Sequence, residues 1–477
     1  MNYLNNATLI RRELVIRLAK VLFAGNIDEI NKIPLEMAPK NGKSMRCCIH
    51  KDRAVIKYRL MALLGFKIEE ETDELTRLSE YLSEALERND IEGPVLTVND
   101  EACSSCVSSN YFITNACQGC VARPCTVHCV KDAIDFNDRQ AVINTEKCIN
   151  CGKCMKECPY HAIIYIPIPC EEACPVNAIS KDEFGIEKID HEKCIYCGKC
   201  MKECPFSAIM EISHLVDILK HIINPDKKVT AMIAPAIVGQ FAAEIGQVFT
   251  ALKQLGFSDV IEVAYGADIT TKKETEEFIE RMESGENLMT SSCCPAYTFA
   301  VNKHINKLEK FVSDTKTPLH YTAEFVKEKD PENVTVFIGP CVAKRKESIE
   351  NELVDYTLTI EELGSLFVAR GIDVQKCEET EIDNPGKKAG RGFPVSGGVA
   401  AAVKQQAGEK VEINEFLING IDKKSLRLLK TLDKKSPGNF VEVMACEGGC
   451  LSGPKVICNP KLSERSLHKL LTISEDS

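Results

Sequence analysis

No run of apolar residues in this sequence reaches the length needed to cross a bilayer. The apolar stretch Leu14 to Leu22 is interrupted by Arg17 and Lys20. A membrane-spanning helix is therefore not expected, and the N-terminus does not read as a secretory signal. Positive charge is in deficit: 59 Lys and Arg face 70 Asp and Glu, a formal net charge of −11. A polyanion would be repelled, which argues against a nucleic-acid partner. Tryptophan is absent. What the chain has in quantity is cysteine, 25 in 477 residues. So many thiols would suggest disulfides only in a small secreted scaffold. Here most lie in Cys-x-x-Cys arrays beside lysines and prolines, a metal-cluster pattern of a reducing compartment, so a cytoplasmic location is expected.

Residues 1–95 read as a helical region. Leu9 to Phe23 and Val55 to Phe66 carry apolar helical spacing, and Thr72 to Arg88 carries it with more charge. Cys47, Cys48 and His50 lie within it. A ligand or redox role is one reading. The reading preferred from sequence is that the two cysteines are small helix residues packed against the rest, since no partner motif accompanies them.

Residues 96–212 read as one or more ferredoxin-like iron–sulfur domains. Cys148, Cys151, Cys154 and Cys158 have the bacterial ferredoxin spacing, followed by Pro159. Cys194, Cys197, Cys200 and Cys204 repeat it, followed by Pro205. Glu146 to Ile163 and Glu192 to Ile209 are nearly the same sequence, so the arrays form an internal duplication. Each has a shorter partner before it, Cys125 with Cys129 and Cys170 with Cys174. In such folds three cysteines wrap one cluster and the fourth reaches to its neighbour. The expected sets are Cys148, Cys151, Cys154 with Cys129; Cys117, Cys120, Cys125 with Cys158; and Cys194, Cys197, Cys200 with Cys174. Cys170 and Cys204 remain, and Cys103 with Cys106 complete a fourth set by elimination. Three to four accessory 4Fe–4S clusters are thus expected. Cys103, Cys106, Cys117 and Cys120 taken alone also suit a structural zinc site.

Residues 213–477 alternate strand-like and helix-like segments. Val229 to Ile237, Asp259 to Val263 and Val334 to Ile338 read as strands. Phe241 to Leu255, Lys272 to Met282, Thr359 to Ala369 and Val399 to Gln406 read as helices. Alternation of this kind predicts an α/β fold with parallel sheets and ligands beyond the strands' carboxyl ends. Three cysteine loops follow strand-like runs: Ser292-Cys293-Cys294-Pro295-Ala296-Tyr297, Gly339-Pro340-Cys341-Val342-Ala343-Lys344, and Met444-Ala445-Cys446-Glu447-Gly448-Gly449-Cys450. Together they describe one cluster pocket with five thiols.

These loops, in this order, resemble the three signature loops of the FeFe-hydrogenases over roughly the last 260 residues. The Cys-Cys-Pro-Ala-Tyr and Met-Ala-Cys-Glu-Gly-Gly-Cys variants look like the group B branch. The resemblance implies a catalytic domain of two parallel-sheet lobes around an H-cluster, which is a 4Fe–4S cube joined through one cysteine to a two-iron unit with CO, cyanide and a dithiolate. It implies Cys294, Cys341, Cys446 and Cys450 as cube ligands, with Cys450 bridging. It implies a cyanide-binding Lys344 paired with Glu347, and Cys293 as proton donor to the bridgehead amine. Ala234, Pro235, Met444 and Phe393 are expected around the two-iron unit. Glu274, Glu277 and Ser313 fall where the family has a proton relay, although a solvated helix face explains the glutamates as well. Departures are Tyr297 where many members have tryptophan, Gly339 where they have methionine, and Ser452-Gly453-Pro454 in place of a glycine run.

The expected activity is reversible proton reduction and hydrogen oxidation, with electrons exchanged with a ferredoxin. Lys153, Lys156, Lys199 and Lys202, inside the arrays, are the expected docking charges. Maturation proteins for the two-iron unit are implied partners. Alternatives are a hydrogen sensor and a non-catalytic iron–sulfur protein of the Narf type, which lacks the proton-passing cysteine.

Overall fold

The fold was described from a computed structural model, covering residues 5–89, 91, 93–103, 106 and 110–473. Two parallel sheets build the C-terminal part. The first has the order Asp259–Glu262, Val229–Ile233, Val334–Gly339, Tyr356–Thr359. The second has Phe440–Met444 at its centre, between Met289–Thr290 and Glu415–Asn419. Both central strands are buried along their whole length, as parallel strands covered on both faces must be. That explains their unbroken apolar sequence. The strands end where expected, but Pro235–Ile237 turns off as a 3₁₀ segment instead of extending the first strand. The charged helix begins earlier than its periodicity suggested, at Val263 rather than Lys272, and runs to Glu283. Its first turns are buried on several sides, so no amphipathic alternation marks them in the sequence.

The iron–sulfur region is nested. Leu96–Val98 pairs antiparallel with Ile209–Glu211, and Ile179–Lys181 forms a hairpin with Glu187–Ile189. Inside this frame a second unit repeats the plan. Tyr111–Ile113 pairs with Ile163–Tyr165, and Ile134–Asn137 pairs with Gln140–Ile143. The inner unit, residues 110–166, is thus inserted into the outer one. The insertion separates Cys103 and Cys106 in sequence from the rest of the outer unit.

Helices Asn6–Ala24, Ile49–Leu63 and Leu78–Glu87 occupy the N-terminal region. Leu14, Leu18 and Leu60 share one apolar core with Val229, Ala231 and Val336 of the first sheet. Charge also ties these parts. Arg11 donates to both oxygens of buried Glu361, at 2.7 and 2.9 Å. Lys455, itself buried, pairs with Glu361 and with Glu211. Three cations around Glu361 hold its carboxyl down to about 2 against the opposing effect of burial. The preferred reading of Cys47 and Cys48 is corrected here. Both are exposed, and Cys48 precedes the helix at Ile49 instead of packing within it.

Removing one member of a buried ion group strands the others. Glu361→Ala is therefore expected to destabilise the protein by about 3–5 kcal/mol, measured by denaturant unfolding. Glu347→Ala, which breaks a pair elsewhere, serves as comparison and is expected to cost less.

Candidate metal centre

The two sheets point their carboxyl ends at a common cleft, and the three cysteine loops leave from those ends. Met289–Thr290 leads to Cys293 and Cys294, Val334–Gly339 to Cys341, and Phe440–Met444 to Cys446 and Cys450. Cys293, Cys294, Cys341, Cys446 and Cys450 line one cavity. Ala234, Pro235, Phe393, Met444 and Lys344 line it too. All these residues singled out in the sequence are brought to one place.

The last loop depends on its glycines. Gly448 and Gly449 have φ of +84° and +83°, a conformation costly for other residues. A side chain on Gly449 would begin 2.3 Å from the Pro394 carbonyl oxygen. The loops are laced together by backbone bonds from Lys455 N to Pro340 O (3.2 Å) and Leu451 N to Pro394 O (3.4 Å). The departures have local reasons. At Gly339 a side chain would begin 2.7 Å from the Phe337 ring, and Phe337 lines the cavity instead. Tyr297 lies outside the cavity lining. It is fully buried and hydrogen-bonded to Thr290 Oγ1 at 2.7 Å.

The donor set fits an iron–sulfur cube with an anionic appendage. Burial pushes the Cys341 thiol up to about 12 and raises Cys294, Cys446 and Cys450 as well. Buried thiolates need a cation beside them, and the iron of a cluster would supply one. Lys344 Nζ is buried, lies 2.7 Å from Glu347 Oε2, and makes no aligned hydrogen bond. Lys344 also lines the cavity. Burial alone would depress this ammonium, but Glu347 offsets the effect and leaves it above its ordinary value. Glu347 is held in turn by the Thr317 hydroxyl.

Outward from Cys293, the predicted relay is partly continuous. Ser313 Oγ donates to Glu277 Oε2 at 2.6 Å, and Thr315 Oγ1 donates to the same oxygen at 2.7 Å. Arg281 pairs with Glu277 at 2.7 Å and with exposed Asp314 at 3.0 Å. Burial opposes ionisation of Glu277, but these donors hold its pKa below the ordinary carboxyl value. Glu274 is fully buried and neither of its oxygens has an aligned partner. Burial first, and Glu277 second, push it up to about 8. Its inner link to Cys293 is therefore electrostatic proximity and not a direct hydrogen bond. Sequence reasoning missed Thr315, Arg281 and Glu442. Arg281 stands four residues after Glu277, which is a readable helix pair. Glu442 is buried on the central strand and accepts from Gly397 N and Ala400 N, capping the helix Gly398–Ala407. No sequence spacing marks that contact.

Four further cysteine groups gather in the nested units. Cys129, Cys148, Cys151 and Cys154 line one small cavity, and Cys117, Cys120, Cys125 and Cys158 another. Cys174 neighbours Cys194, Cys197 and Cys200 electrostatically, and Cys170 neighbours Cys103, Cys106 and Cys204. Each closing cysteine sits on the same turn. Cys129, Cys158, Cys174 and Cys204 accept a backbone N–H from the alanine four residues on, at 3.3, 3.4, 3.1 and 3.5 Å. Such N–H donors favour thiolate sulfur.

Nested ferredoxin-like units beside a five-thiol cavity between two parallel-sheet lobes define an iron–sulfur protein. The model of the iron-only hydrogenase large subunit, C-terminal domain, matches residues 227–454. A 4Fe–4S binding domain matches 141–164, and the LdpA Fe–S cluster-binding domain matches 164–215. Iron hydrogenase 1 of Clostridium pasteurianum is 30% identical over 396 residues, 70% of this chain and 67% of that protein. The periplasmic Fe hydrogenase large subunit of Nitratidesulfovibrio vulgaris is 31% identical over 285 residues, 47% of this chain and 68% of that protein. A protein of Drosophila melanogaster named as a probable cytosolic Fe-S cluster assembly factor is 26% identical over 259 residues, 42% of this chain and 54% of that protein. The solved structure of apo FeFe-hydrogenase HydA1 from Chlamydomonas reinhardtii aligns with 54% of this chain and 88% of its own, at 22% identity and a TM-score of 0.46. The chain belongs to the iron-only hydrogenase family. Among the described residues, no helix is long and apolar enough to cross a membrane.

The raised pKa of Glu274 gives a signed pH test. Its protonated form is favoured in the fold, so the associated stability is fully present below the ordinary carboxyl value and is lost as pH rises through about 8. Glu274→Gln keeps the shape without titrating. Its unfolding free energy is expected to fall less than the parent's across that window. Parallel curves would mean that Glu274 ionises normally.

Proposed function

We propose that this chain is a hydrogenase catalysing 2H⁺ + 2e⁻ ⇌ H₂. The observation that carries this is the convergence of Cys294, Cys341, Cys446 and Cys450 with a fifth thiol, Cys293, and a buried ammonium, Lys344, on one cavity. In this reading the four cysteines would hold the cube, and Cys450 would also tether the two-iron unit. When bound, that unit supplies the centre at which protons and electrons combine as hydrogen or separate. Lys344 holds an anionic ligand in place by charge and hydrogen bonding, and Glu347 keeps the ammonium compensated. Ala234, Pro235, Phe393 and Met444 exclude water and fix the unit by shape. Cys293 holds a proton at its sulfur, which burial keeps protonated. Glu274, Ser313 and Glu277 extend the path to Arg281 and Asp314 at the surface.

The four N-terminal cysteine groups hold four accessory 4Fe–4S clusters in the same reading, and electrons pass along them. A ferredoxin-type carrier and maturation proteins are the partners, in the cytoplasm. The docking charges need revision. Lys199 Nζ donates to Ile421 O, and Lys202 Nζ to Ser452 O at 3.3 Å, so both brace the catalytic part. Lys153 and Lys156, their equivalents in the inserted unit, are exposed beside exposed Cys151. Ferredoxin turnover is expected to fall with added salt. Lys153→Glu with Lys156→Glu should remove most of that salt dependence, while rates with a small neutral dye stay unchanged. Salt-independent ferredoxin kinetics in the parent would end this assignment.

A non-catalytic assembly role is the second reading, favoured by the likeness to the Drosophila protein. Cys293 separates the two. Cys293→Ser is expected to keep iron content and the CO and cyanide infrared bands, and to lose most turnover in both directions, because a hydroxyl exchanges its proton far less readily than a thiol. Parent-like turnover with an intact cofactor would place proton entry elsewhere. Absence of the bands in matured parent protein would favour the assembly reading.

A further inference from the structure

The two duplicated cluster loops have the same sequence around their glycines, Cys151-Gly152-Lys153-Cys154 and Cys197-Gly198-Lys199-Cys200. Both glycines are left-handed, with φ of +73° and +72°. Their surroundings differ. A side chain on Gly152 would first meet the Tyr111 hydroxyl of its own unit, at 2.5 Å. A side chain on Gly198 would begin 2.8 Å from Pro454 Cγ, 3.0 Å from Pro454 Cβ and 3.3 Å from Val342 Cγ2. Val342 follows Cys341, and Pro454 closes the turn after Cys450. Cys197, one residue before Gly198, lines the same cavity as Cys294, Cys341, Cys446 and Cys450. The two lysines that follow it, Lys199 and Lys202, reach across to Ile421 O and Ser452 O. This loop is seated on the catalytic loops, and its bare Cα is the point of contact.

We infer that Gly198 is a positioning residue for electron transfer. Its missing side chain lets the Cys197 turn seat against Pro454 and Val342, and so sets the gap between the nearest accessory cluster and the cube. The inference rests on the ligand sets proposed above. The step it governs is a single electron moving from the cluster of Cys194, Cys197, Cys200 and Cys174, which is oxidised, to the cube, which is reduced. No bond forms or breaks and no proton moves. Packed interiors give little room for an added methyl at 2.8 Å, so a side chain here must push the loop away. Gly152 carries the same backbone demand without that seat.

The test uses the full chain reconstituted with 4Fe–4S clusters alone, chemically reduced, and read by electron paramagnetic resonance. The parent should show spin–spin broadening between the cube and its neighbour. Iron content is measured alongside. Too little iron in the parent to fill both sites overturns the ligand sets and this inference together. Gly198→Ala is expected to lose the broadening. Adding Pro454→Gly, which removes the two nearest atoms, is expected to restore it. Gly152→Ala is expected to keep it. Broadening retained in Gly198→Ala overturns the inference while leaving the ligand sets intact. Failure of Pro454→Gly to restore it, or equal loss in Gly152→Ala, assigns the effect to backbone strain and overturns it too. If Gly198→Ala also loses a cluster, recovery of that cluster in the double variant supports the seat, and its loss in both variants overturns it.

Discussion

Sulfur charge in a dry place is the constraint on which the rest of this structure depends. Four thiols at the cavity have pKa values raised by burial, and each must become a thiolate to hold iron. The fold gathers them from three chain segments around one volume, where in the proposed reading a single cluster compensates all four. That requires three strand ends to open on the same space, which two parallel lobes facing each other provide. Gly448 and Gly449 follow from the same demand, because the two cysteines they separate must both turn inward within four residues. Lys344 adds a fixed positive charge on one side of the cavity. Glu347 and Thr317 exist around it to keep that charge tolerable.

The same logic extends outward through the nested units. Each closing cysteine receives a backbone N–H from an alanine four residues later, a device repeated at Cys129, Cys158, Cys174 and Cys204. Nesting then places two such units in series without two long linkers. The inserted unit has its Cys151 exposed, and the outer unit has its Cys197 against the catalytic cavity. One end of the series meets solvent and the other meets the five-thiol cavity. The N-terminal helices bear on this frame indirectly. Arg11 reaches Glu361, Glu361 reaches Lys455, and Lys455 follows the turn after Cys450. A surface helix is thereby linked by charge to a loop of the site.

Much of this was legible in the sequence because cluster ligation leaves rigid spacing. The ferredoxin arrays, the strand-then-cysteine order of the three loops and the α/β alternation all read directly. The contents of the cavity, down to Phe393 and Met444, were reached through resemblance to a family. What was not legible has physical reasons. Cys103 and Cys106 could be assigned only by elimination, since the insertion removes them from their neighbours in the chain. The buried start of the helix at Val263 has no polar face to betray it. Glu274 and Glu276 look alike in sequence, but one faces the core and the other water. Cys47 and Cys48 carry no partner motif and so read as packed helix residues, whereas the helix begins just after them.

The duplicated segments show most sharply where sequence stops. Lys153 to Glu157 and Lys199 to Glu203 are the same five residues in the same short helix. In one copy the lysines stand in solvent. In the other they donate to carbonyls of the catalytic part, and the glycine before them touches Pro454. Local propensity is identical, so the difference comes wholly from what lies opposite. In the proposed reading, identical motifs serve opposite ends of one electron path, one as a surface for encounter and one as a fixed joint. The joint could form only where the motif already carried a glycine. The cluster turn required that glycine for its left-handed backbone, and the close approach to Pro454 and Val342 made a second use of the same missing side chain.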